Sequence, residues 1–197
     1  ENIVKSFHKF ATQTSQLLVV NGDDERAMES VKNLSGQKIV TFGLKATNDY
    51  YPAELNEEDT ACEDFTLMHH GKPLGRVNLI VPGEHNMLNA LAAAAAAHSV
   101  GAGPEAICRA LGKFGGVHRR FEVLGKFGGV TVADDFAHHP TELTAVLSSA
   151  MRMGYRQVWA IFQPHTYSRT YNLLEEFARA LSIPDHLLMT EILAVRE

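Results

Sequence analysis

The chain has 197 residues, of which 45% are hydrophobic and 21% are charged, and its formal net charge at pH 7 is −5. These values are ordinary for a globular protein of one or two domains, and the acidic balance excludes any strong case for a nucleic acid or an anionic membrane as a partner. The longest apolar run, 87–97, is interrupted by Asn89 and is too short to cross a bilayer. Cys62 and Cys108 have no metal or redox spacing, which indicates free thiols in a reducing cytoplasm.

The first part of the chain predicts a strand, a polar loop, a helix and a second strand. Apolar runs rich in β-branched residues at 17–20 and 38–42 are typical of buried strands, and a short helix is predicted between them over 26–34. The first strand leads into an Asn-Gly-Asp-Asp loop at 21–24. This order favours parallel strands joined by right-handed crossovers. The acid-rich segment 47–64 has no clear period and predicts a loop with a strand near Tyr50 and Tyr51.

A hairpin and an alanine-rich helix follow. Apolar segments at 65–68 and 75–81 flank a His-His-Gly-Lys-Pro turn at 69–73, which predicts a β-hairpin. The two histidines are interpreted as solvated turn residues, because no third metal ligand lies at a useful spacing. Asn86 and Asn89 are three residues apart, so they share one face of the first turn of the alanine-rich helix. Capping needs only one asparagine, so the second indicates a ligand.

Gly115-Gly116 marks the predicted domain boundary, because it follows a helix that Pro104 opens and precedes a predicted new strand at 118–121. We therefore predict one domain over 1–116 and another over 117–197. Adjacent arginines at 119 and 120 usually lie on a solvated surface. At a hinge beside an acidic loop, one of them can instead reach a phosphate with both ends of its guanidinium.

The second predicted domain is organised around segment 130–142. It predicts a short strand, then a loop that carries two carboxylates and two imidazoles, then a helix that Pro140 opens. A buried strand at 157–162 ends in another polar loop, with His165 and Arg169, and a helix over 172–181 and a strand at 187–190 follow. Ligands bind at the carboxyl edge of open α/β sheets, so His138 and His139 are predicted to lie at one edge with these two residues. The alternative is a solvated loop whose polar residues only cap the helix.

Several common catalytic motifs are absent from the sequence. Each Gly-Lys pair is followed by Phe or Pro, so the chain has no phosphate-binding Gly-Lys-Ser/Thr loop. A Gly-x-Ser-x-Gly nucleophile elbow and a His-Glu-x-x-His zinc motif are absent as well. The sequence therefore supplies no complete pairing of a nucleophile with a base.

Five segments taken together resemble the Mur ligases, and the similarity covers essentially the whole chain. They occur in this order: 21–24, 85–91, 119–121, 134–142 and 162–170. The resemblance implies a three-layer α/β fold with mostly parallel sheets. Residues 1–116 would be the back part of a central ATP-binding domain, and 117–197 the front part of a Rossmann-like C-terminal domain. A UDP-sugar domain and a phosphate loop with its lysine would lie outside this partial chain.

The resemblance also implies a reaction. It predicts an ATP-dependent ligase of peptidoglycan precursor synthesis that joins L-alanine to UDP-N-acetylmuramate through an acyl phosphate. The expected partners are therefore UDP-N-acetylmuramate, L-alanine and ATP, with no nucleic acid and no membrane, in the cytoplasm. Mg²⁺ is expected as a cofactor, with its ligands mainly outside this segment, and the segment alone is expected to be inactive. Two alternatives remain: a recycling ligase that adds a whole peptide to the same sugar, and a non-catalytic nucleotide-binding module.

Nucleotide-binding roles transfer to four residues that match the family's motifs. Asn86 and Asn89 match asparagines near the adenine. Arg120 matches the hinge arginine that meets the ATP phosphates. Asp135 matches the acid that accepts hydrogen bonds from the ribose hydroxyls, and a carboxylate suits that role because it can accept from two O–H donors.

The amino-acid pocket is implied by two loops of the second domain. His138 and Arg169 match positions that line this pocket, where a cation can hold the substrate carboxylate, and Phe136 and His165 belong to the same loops. Arg120 and His138 are the expected catalytic residues. The chain departs from the family at two positions, because Phe136 stands where many members have Tyr and Thr166 where some have Arg. The second departure leaves Arg169 as the one arginine of the segment 163–170.

Overall fold

The computed structural model of the protein describes residues 2–56 and 62–194. The helices in this part of the chain are α1 (Asn2–Thr12), α2 (Glu25–Ser30), α3 (Glu84–Ser99), α4 (Pro104–Leu111), α5 (Pro140–Met151), α6 (Tyr167–Asn172) and α7 (Leu174–Leu181). The strands are β1 (Leu17–Asn21), β2 (Lys38–Phe42), β3 (Tyr50–Ala53), β4 (Cys62–His69), β5 (Lys72–Pro82), β6 (Glu122–Phe127), β7 (Val130–Asp134), β8 (Trp159–Phe162) and β9 (His186–Met189). None of the helices in the described ranges is long and apolar enough to cross a membrane.

These elements form two compact units. The first unit contains the chain before residue 57 together with 62–80 and 84–114, and the second contains the chain from residue 115 onward together with 81–83. We describe each unit by itself.

The first unit is built on a five-stranded sheet in the order β1-β2-β3-β4-β5. The first three strands are parallel, as the strand–helix–strand order predicts, and β4 turns antiparallel to β3. A turn at His70 and Gly71 joins β4 to β5, and both residues have positive φ angles, 47° and 76°. Two-residue hairpin turns with positive φ match the twist of their strands, so both strands extend further into the turn than the sequence predicts.

One part of the core of the first unit lies between its sheet and α3, and another joins α1 and the α2 region to β1. The strand residues Phe65, Leu67 and Val77 are fully buried, and so is Leu91 on α3. Buried alanines on α3 let the helix backbone approach the sheet closely, and α3 contacts β1, β2, β3 and β4. The helix therefore holds a fixed position over the sheet, with its first half carrying the two predicted adenine-binding asparagines.

The second unit contains two small sheets. The hairpin β6–β7 turns at Gly128-Gly129, where φ is 57° and 84°. Strands β8 and β9 are parallel. A hydrophobic cluster joins α5, β8 and α7, and its largest members are Leu143, Leu147, Phe162, Phe177 and Leu181. This cluster fixes the loops that follow β7 and β8.

Several predicted elements differ from the observed ones. The strand predicted from 118 begins only at Glu122, because Arg119 and Phe121 have left-handed backbone angles that a strand does not allow. The helix predicted over 172–181 begins at Leu174 instead, because Leu173 has a φ of −120°. A separate helix, α6, covers Tyr167–Asn172, a segment predicted mainly as a polar loop. Among the described residues, β7 pairs with β6 and not with β8, since the hairpin supplies the nearest partner.

Candidate functional site

The polar loop after β1 is held together by Asp23. Its Oδ2 accepts hydrogen bonds from the backbone N–H groups of Leu44 at 2.6 Å and Lys45 at 3.3 Å. Its Oδ1 accepts the side-chain amide of Asn48 at 2.9 Å. Burial acts to raise the pKa of Asp23, but these hydrogen bonds and the charge of Lys45 outweigh burial and lower it. The carboxylate therefore ties the loops after β1 and β2 together, which is a structural role.

The two predicted adenine-binding residues lie together in the first half of α3. Asn89 donates its side-chain amide to Asn86 Oδ1 at 3.3 Å, which confirms that the pair shares one helical face. Both residues belong to the first unit. All the other predicted site residues belong to the second unit, so the two groups are described separately.

Arg120 lies in a strained turn that precedes β6. Its neighbours Arg119 and Phe121 have φ angles of 60° and 48°. Left-handed angles are uncommon for bulky residues, cost free energy and cluster at functional sites. The Arg120 side chain is half exposed, and its Nη1 lies 3.7 Å from Glu142 Oε1. The Arg120 guanidinium can therefore still donate N–H hydrogen bonds to a ligand.

Arg119 is bound to its surroundings more extensively than Arg120. Its Nε donates to Asp134 Oδ2 at 3.1 Å, and its guanidinium carbon lies 4.5 Å from the centre of the Phe136 ring. Its carbonyl accepts the N–H of Phe136 at 2.9 Å. A cation over an aromatic face adds about 0.5–1 kcal/mol at an exposed site. These contacts orient the loop after β7, a role that sequence reasoning missed.

Asp135 follows β7 and accepts two backbone hydrogen bonds. Oδ2 accepts the N–H of Phe121 at 2.8 Å, and Oδ1 accepts the N–H of Ala137 at 2.7 Å. Each carboxylate oxygen has two acceptor sites, so each keeps one for a further donor. Asp135 can therefore hold the Arg120 turn in place and still accept two hydroxyl groups.

His138 and Glu142 meet at the start of α5. The His138 ring Nδ1 lies 2.9 Å from the Phe136 carbonyl, and because a carbonyl only accepts, Nδ1 carries a proton in this arrangement. That assignment leaves Nε2 for a substrate. Glu142 Oε2 accepts the N–H groups of His138 at 3.0 Å and His139 at 3.2 Å. His139 caps α5, and Pro140 occupies the first turn as the sequence predicts.

His165 and Arg169 follow β8, and each has a buried nitrogen atom without a partner. His165 Nδ1 and Arg169 Nη1 find no hydrogen-bond partner among the residues that the structure describes. The rings of His138 and His165 lie 6.3 Å apart, so the loops after β7 and β8 meet, although these strands belong to separate sheets and not to the single sheet edge that was predicted. A buried polar group left unpaired costs about 1–3 kcal/mol. A bound anion would remove that cost.

Thr166, between these two residues, has an unusual backbone. Its φ is 70°, a strained angle for a β-branched residue, and its Oγ1 accepts the N–H of Arg169 at 3.4 Å. The hydroxyl thus caps α6. Thr166 therefore fixes this loop, and Arg169 is the arginine of residues 163–170.

The interpretation of His69 as a solvated turn residue was wrong, because His69 ends β4 and belongs to a cluster of aromatic and imidazole rings in the first unit. The Tyr50 hydroxyl lies 2.8 Å from His98 Nδ1, and the Tyr50 ring stacks on His69 with centroids 4.3 Å apart. The His69 and His98 rings are 5.1 Å apart. No group of three or more His, Cys, Asp or Glu side chains within the described ranges could hold a metal ion. The contacts of this cluster instead join α3 to the sheet.

Two family models match the chain: the Mur ligase middle domain over residues 1–97 and the Mur ligase glutamate ligase domain over residues 119–196. The chain therefore belongs to the Mur ligase family, as its motifs predict, and the α/β fold class is confirmed. Among its relatives, the UDP-N-acetylmuramate–L-alanine ligase of Agathobacter rectalis is 44% identical over 198 residues. The alignment covers all of this chain but only 43% of that relative, so the chain spans less than half of its length.

Solved structures agree with this assignment. The UDP-N-acetylmuramate–alanine ligase of Thermotoga maritima has a TM-score of 0.77 and 31% identity, over 96% of this chain and 41% of its own. A murein peptide ligase from Psychrobacter arcticus has a TM-score of 0.69 and 26% identity, over 95% of this chain and 40% of its own.

Proposed function

We propose that the chain is part of an ATP-dependent ligase that joins L-alanine to UDP-N-acetylmuramate in peptidoglycan precursor synthesis. The observation that carries the proposal is that His165 Nδ1 and Arg169 Nη1 are buried and have no hydrogen-bond partner among the described residues, with the His165 ring 6.3 Å from the His138 ring. A guanidinium binds a carboxylate through two parallel hydrogen bonds, so these groups suit the carboxylate of an amino acid. The 44% identity to an alanine ligase supports the same substrate.

In the proposed reaction a carboxylate oxygen of the sugar attacks the γ-phosphorus of ATP, and ADP leaves. The amine of L-alanine then attacks the acyl carbon, phosphate leaves with the two electrons of the broken C–O bond, and the nitrogen gives one proton to the departing phosphate. Arg120 would bind the ATP phosphates, Asp135 would accept the ribose hydroxyls, and Asn86 and Asn89 would bind the adenine. Each of these residues works by positioning the reactants and neutralising charge.

Four residues would form the alanine site. Arg169 and His165 would hold the carboxylate of L-alanine, and Phe136 would pack beside His138, since their rings lie 5.2 Å apart. His138 and Arg120 are the proposed catalytic residues. Mg²⁺ would add neutralisation of phosphate charge when bound, but the described residues contain no cluster that fits a metal ion, so we assign it no step. The proposed domain parts are 1–116 and 117–197.

Two alternatives have weaker support. The peptide ligase structure is less similar than the alanine ligase structure in both identity and TM-score, which favours L-alanine over a peptide. A non-catalytic module would not require the buried unpaired nitrogens. The proposal includes a cytoplasmic location, on the argument from free thiols, and partners limited to UDP-N-acetylmuramate, L-alanine and ATP.

The test measures phosphate release by the complete protein that carries this segment. We expect release that requires ATP, UDP-N-acetylmuramate and L-alanine together. Release with a peptide but not with L-alanine would identify the recycling ligase, and no release with either would favour the non-catalytic module. The isolated 197-residue segment serves as the control. It should release no phosphate, because its sequence has no phosphate-binding loop.

A further inference from the structure

We infer that Glu142 is a positioning residue that holds Arg120 and His138 in one arrangement and so links the ATP side of the reaction to the L-alanine side. The inference rests on the proposed function, because that function gives Arg120 and His138 their separate substrates. Glu142 itself would touch neither substrate. Its role would be to fix the distance between two residues that do.

The geometry gives each carboxylate oxygen a different partner. Oε1 lies 3.7 Å from Arg120 Nη1. Oε2 accepts the N–H groups of His138 and His139 and lies 3.5 Å from His138 Nδ1. Arg120 precedes β6 and His138 follows β7, so one side chain on α5 joins two loops that are separate in sequence. The side chains of Glu142 and His138 are each about one third exposed, at 34% and 33%.

The charge of Glu142 is supported by its surroundings. Burial acts to raise the pKa of Glu142, but the His138 N–H, the His138 ring, the His139 N–H and Arg120 together outweigh burial and lower it. The carboxylate therefore stays ionised at neutral pH. A single arginine–carboxylate contact at a partly exposed site contributes little stability. The contact would instead orient Arg120 and His138, and steady-state kinetics report such an effect whereas a melting temperature does not.

Helix capping explains the contacts of only one of the two Glu142 carboxylate oxygens. His139 is the N-cap of α5, its Nδ1 accepts the N–H of Thr141 at 3.3 Å, and Glu142 completes the capping box. That role uses Oε2 and leaves the contact of Oε1 with Arg120 unexplained. Glutamine serves a capping box as well as glutamate does. The substitution Glu142→Gln therefore keeps the cap and removes the negative charge that faces Arg120 and His138.

The experiment compares Glu142→Gln with wild type in the complete protein, using steady-state kinetics and thermal unfolding. We expect KM for ATP and KM for L-alanine to rise together, by about threefold to tenfold for each lost charge-assisted contact. KM for UDP-N-acetylmuramate and the melting temperature should stay at their wild-type values. The matched control is Glu105→Gln, which removes an exposed carboxylate paired with Arg109 at 3.1 Å in the first turn of α4. It should change none of the three KM values.

The possible results distinguish a positioning role of Glu142 from a role in helix capping alone. Wild-type kinetics in Glu142→Gln would overturn the inference and leave Glu142 as a helix cap. A lower melting temperature with all three KM values raised equally would also overturn it, because that pattern indicates general loosening of the fold. An increase in only one of the two KM values would contradict the link between the two sides. Absence of alanine-dependent activity in the wild-type protein would overturn the proposed function, and the inference with it.

Discussion

The loops that follow β1 and β8 both carry polar side chains at a strand end, but they differ in what those side chains bind. After β1, both oxygens of Asp23 accept hydrogen bonds from within the first unit. After β8, His165 Nδ1 and Arg169 Nη1 are buried and have no partner among the described residues. A strand-end position is therefore not enough to identify a binding site. Unused hydrogen-bonding capacity distinguishes the loop after β8.

Asp135 combines the structural role of Asp23 with the binding capacity of Arg169. Like Asp23, it accepts two backbone N–H groups, and like Arg169 it keeps capacity for a ligand. Its proposed role toward ATP is therefore combined with a structural one. Variants in the three loops should separate stability from substrate binding in a graded way.

The largest expected effect is on stability, from Asp23→Ala. The variant leaves the backbone N–H of Leu44 and the amide of Asn48 without their acceptor. We expect a loss of about 1.5–3 kcal/mol in the free energy of unfolding, measured by urea denaturation. Asp24→Ala is the control, because it removes only the N-cap of α2 and should cost about 1 kcal/mol. Equal losses in the two variants would contradict the structural role of Asp23.

The second largest effect is expected from Asp135→Asn, which should change both the stability of the protein and its binding of ATP. The amide keeps one acceptor oxygen but turns a donor toward Phe121 or Ala137, so we expect a small loss of stability. It also removes a charged acceptor from the proposed ribose site, so KM for ATP should rise about tenfold. Both are measured on the complete protein, with KM for L-alanine as the internal reference. Reduced stability with an unchanged KM for ATP would show that Asp135, like Asp23, has only a structural role.

The smallest effect is a pH dependence in the first unit. Burial lowers the pKa of His69 below its ordinary 6.5, and the charges of His70, His98 and Lys38 add to this, while Asp49 opposes it. A depressed pKa in the folded state means that His69 contributes stability above pH 6.5, and that this contribution is lost as the pH falls through the folded pKa.

Melting curves at about pH 7.5 and about pH 5.5 test this expectation. The wild-type segment should melt at a lower temperature at the lower pH, and His69→Gln should reduce that difference. The matched control is His118→Gln, because that side chain is 95% exposed. A pH effect that persists fully in His69→Gln would show that other groups cause it.

Local features were predicted well from the sequence. Strand β2 was predicted with its observed ends, because an apolar β-branched run bounded by polar residues and Gly43 leaves little choice of register. Pro140 opens α5 as predicted, since proline is favoured in the first helical turn. The proximity of His138 to His165 was predicted from their strand-end positions, but the predicted single sheet edge was wrong, because β7 and β8 belong to separate sheets.

Features that depend on tertiary contacts were not predicted. The ring of His98 near His69 was not predicted, because His98 reaches it from the C-terminal end of α3. The break at Leu173 depends on packing against the cluster of α5, β8 and α7, which no local pattern reveals. Glu142 could have been found, because it lies three residues after His139 in the spacing of a capping box. Its contact with Arg120 could not.

The most direct test of the L-alanine site is the kinetics of Arg169 variants in the complete protein. Arg169→Ala and Arg169→Lys should each raise KM for L-alanine by about tenfold or more and leave KM for ATP within about twofold of wild type, because lysine keeps the charge but lacks the planar fork. Arg179→Ala, an exposed arginine on α7, is the control and should change neither value. Wild-type KM for L-alanine in both Arg169 variants would contradict the account and place the amino-acid pocket elsewhere.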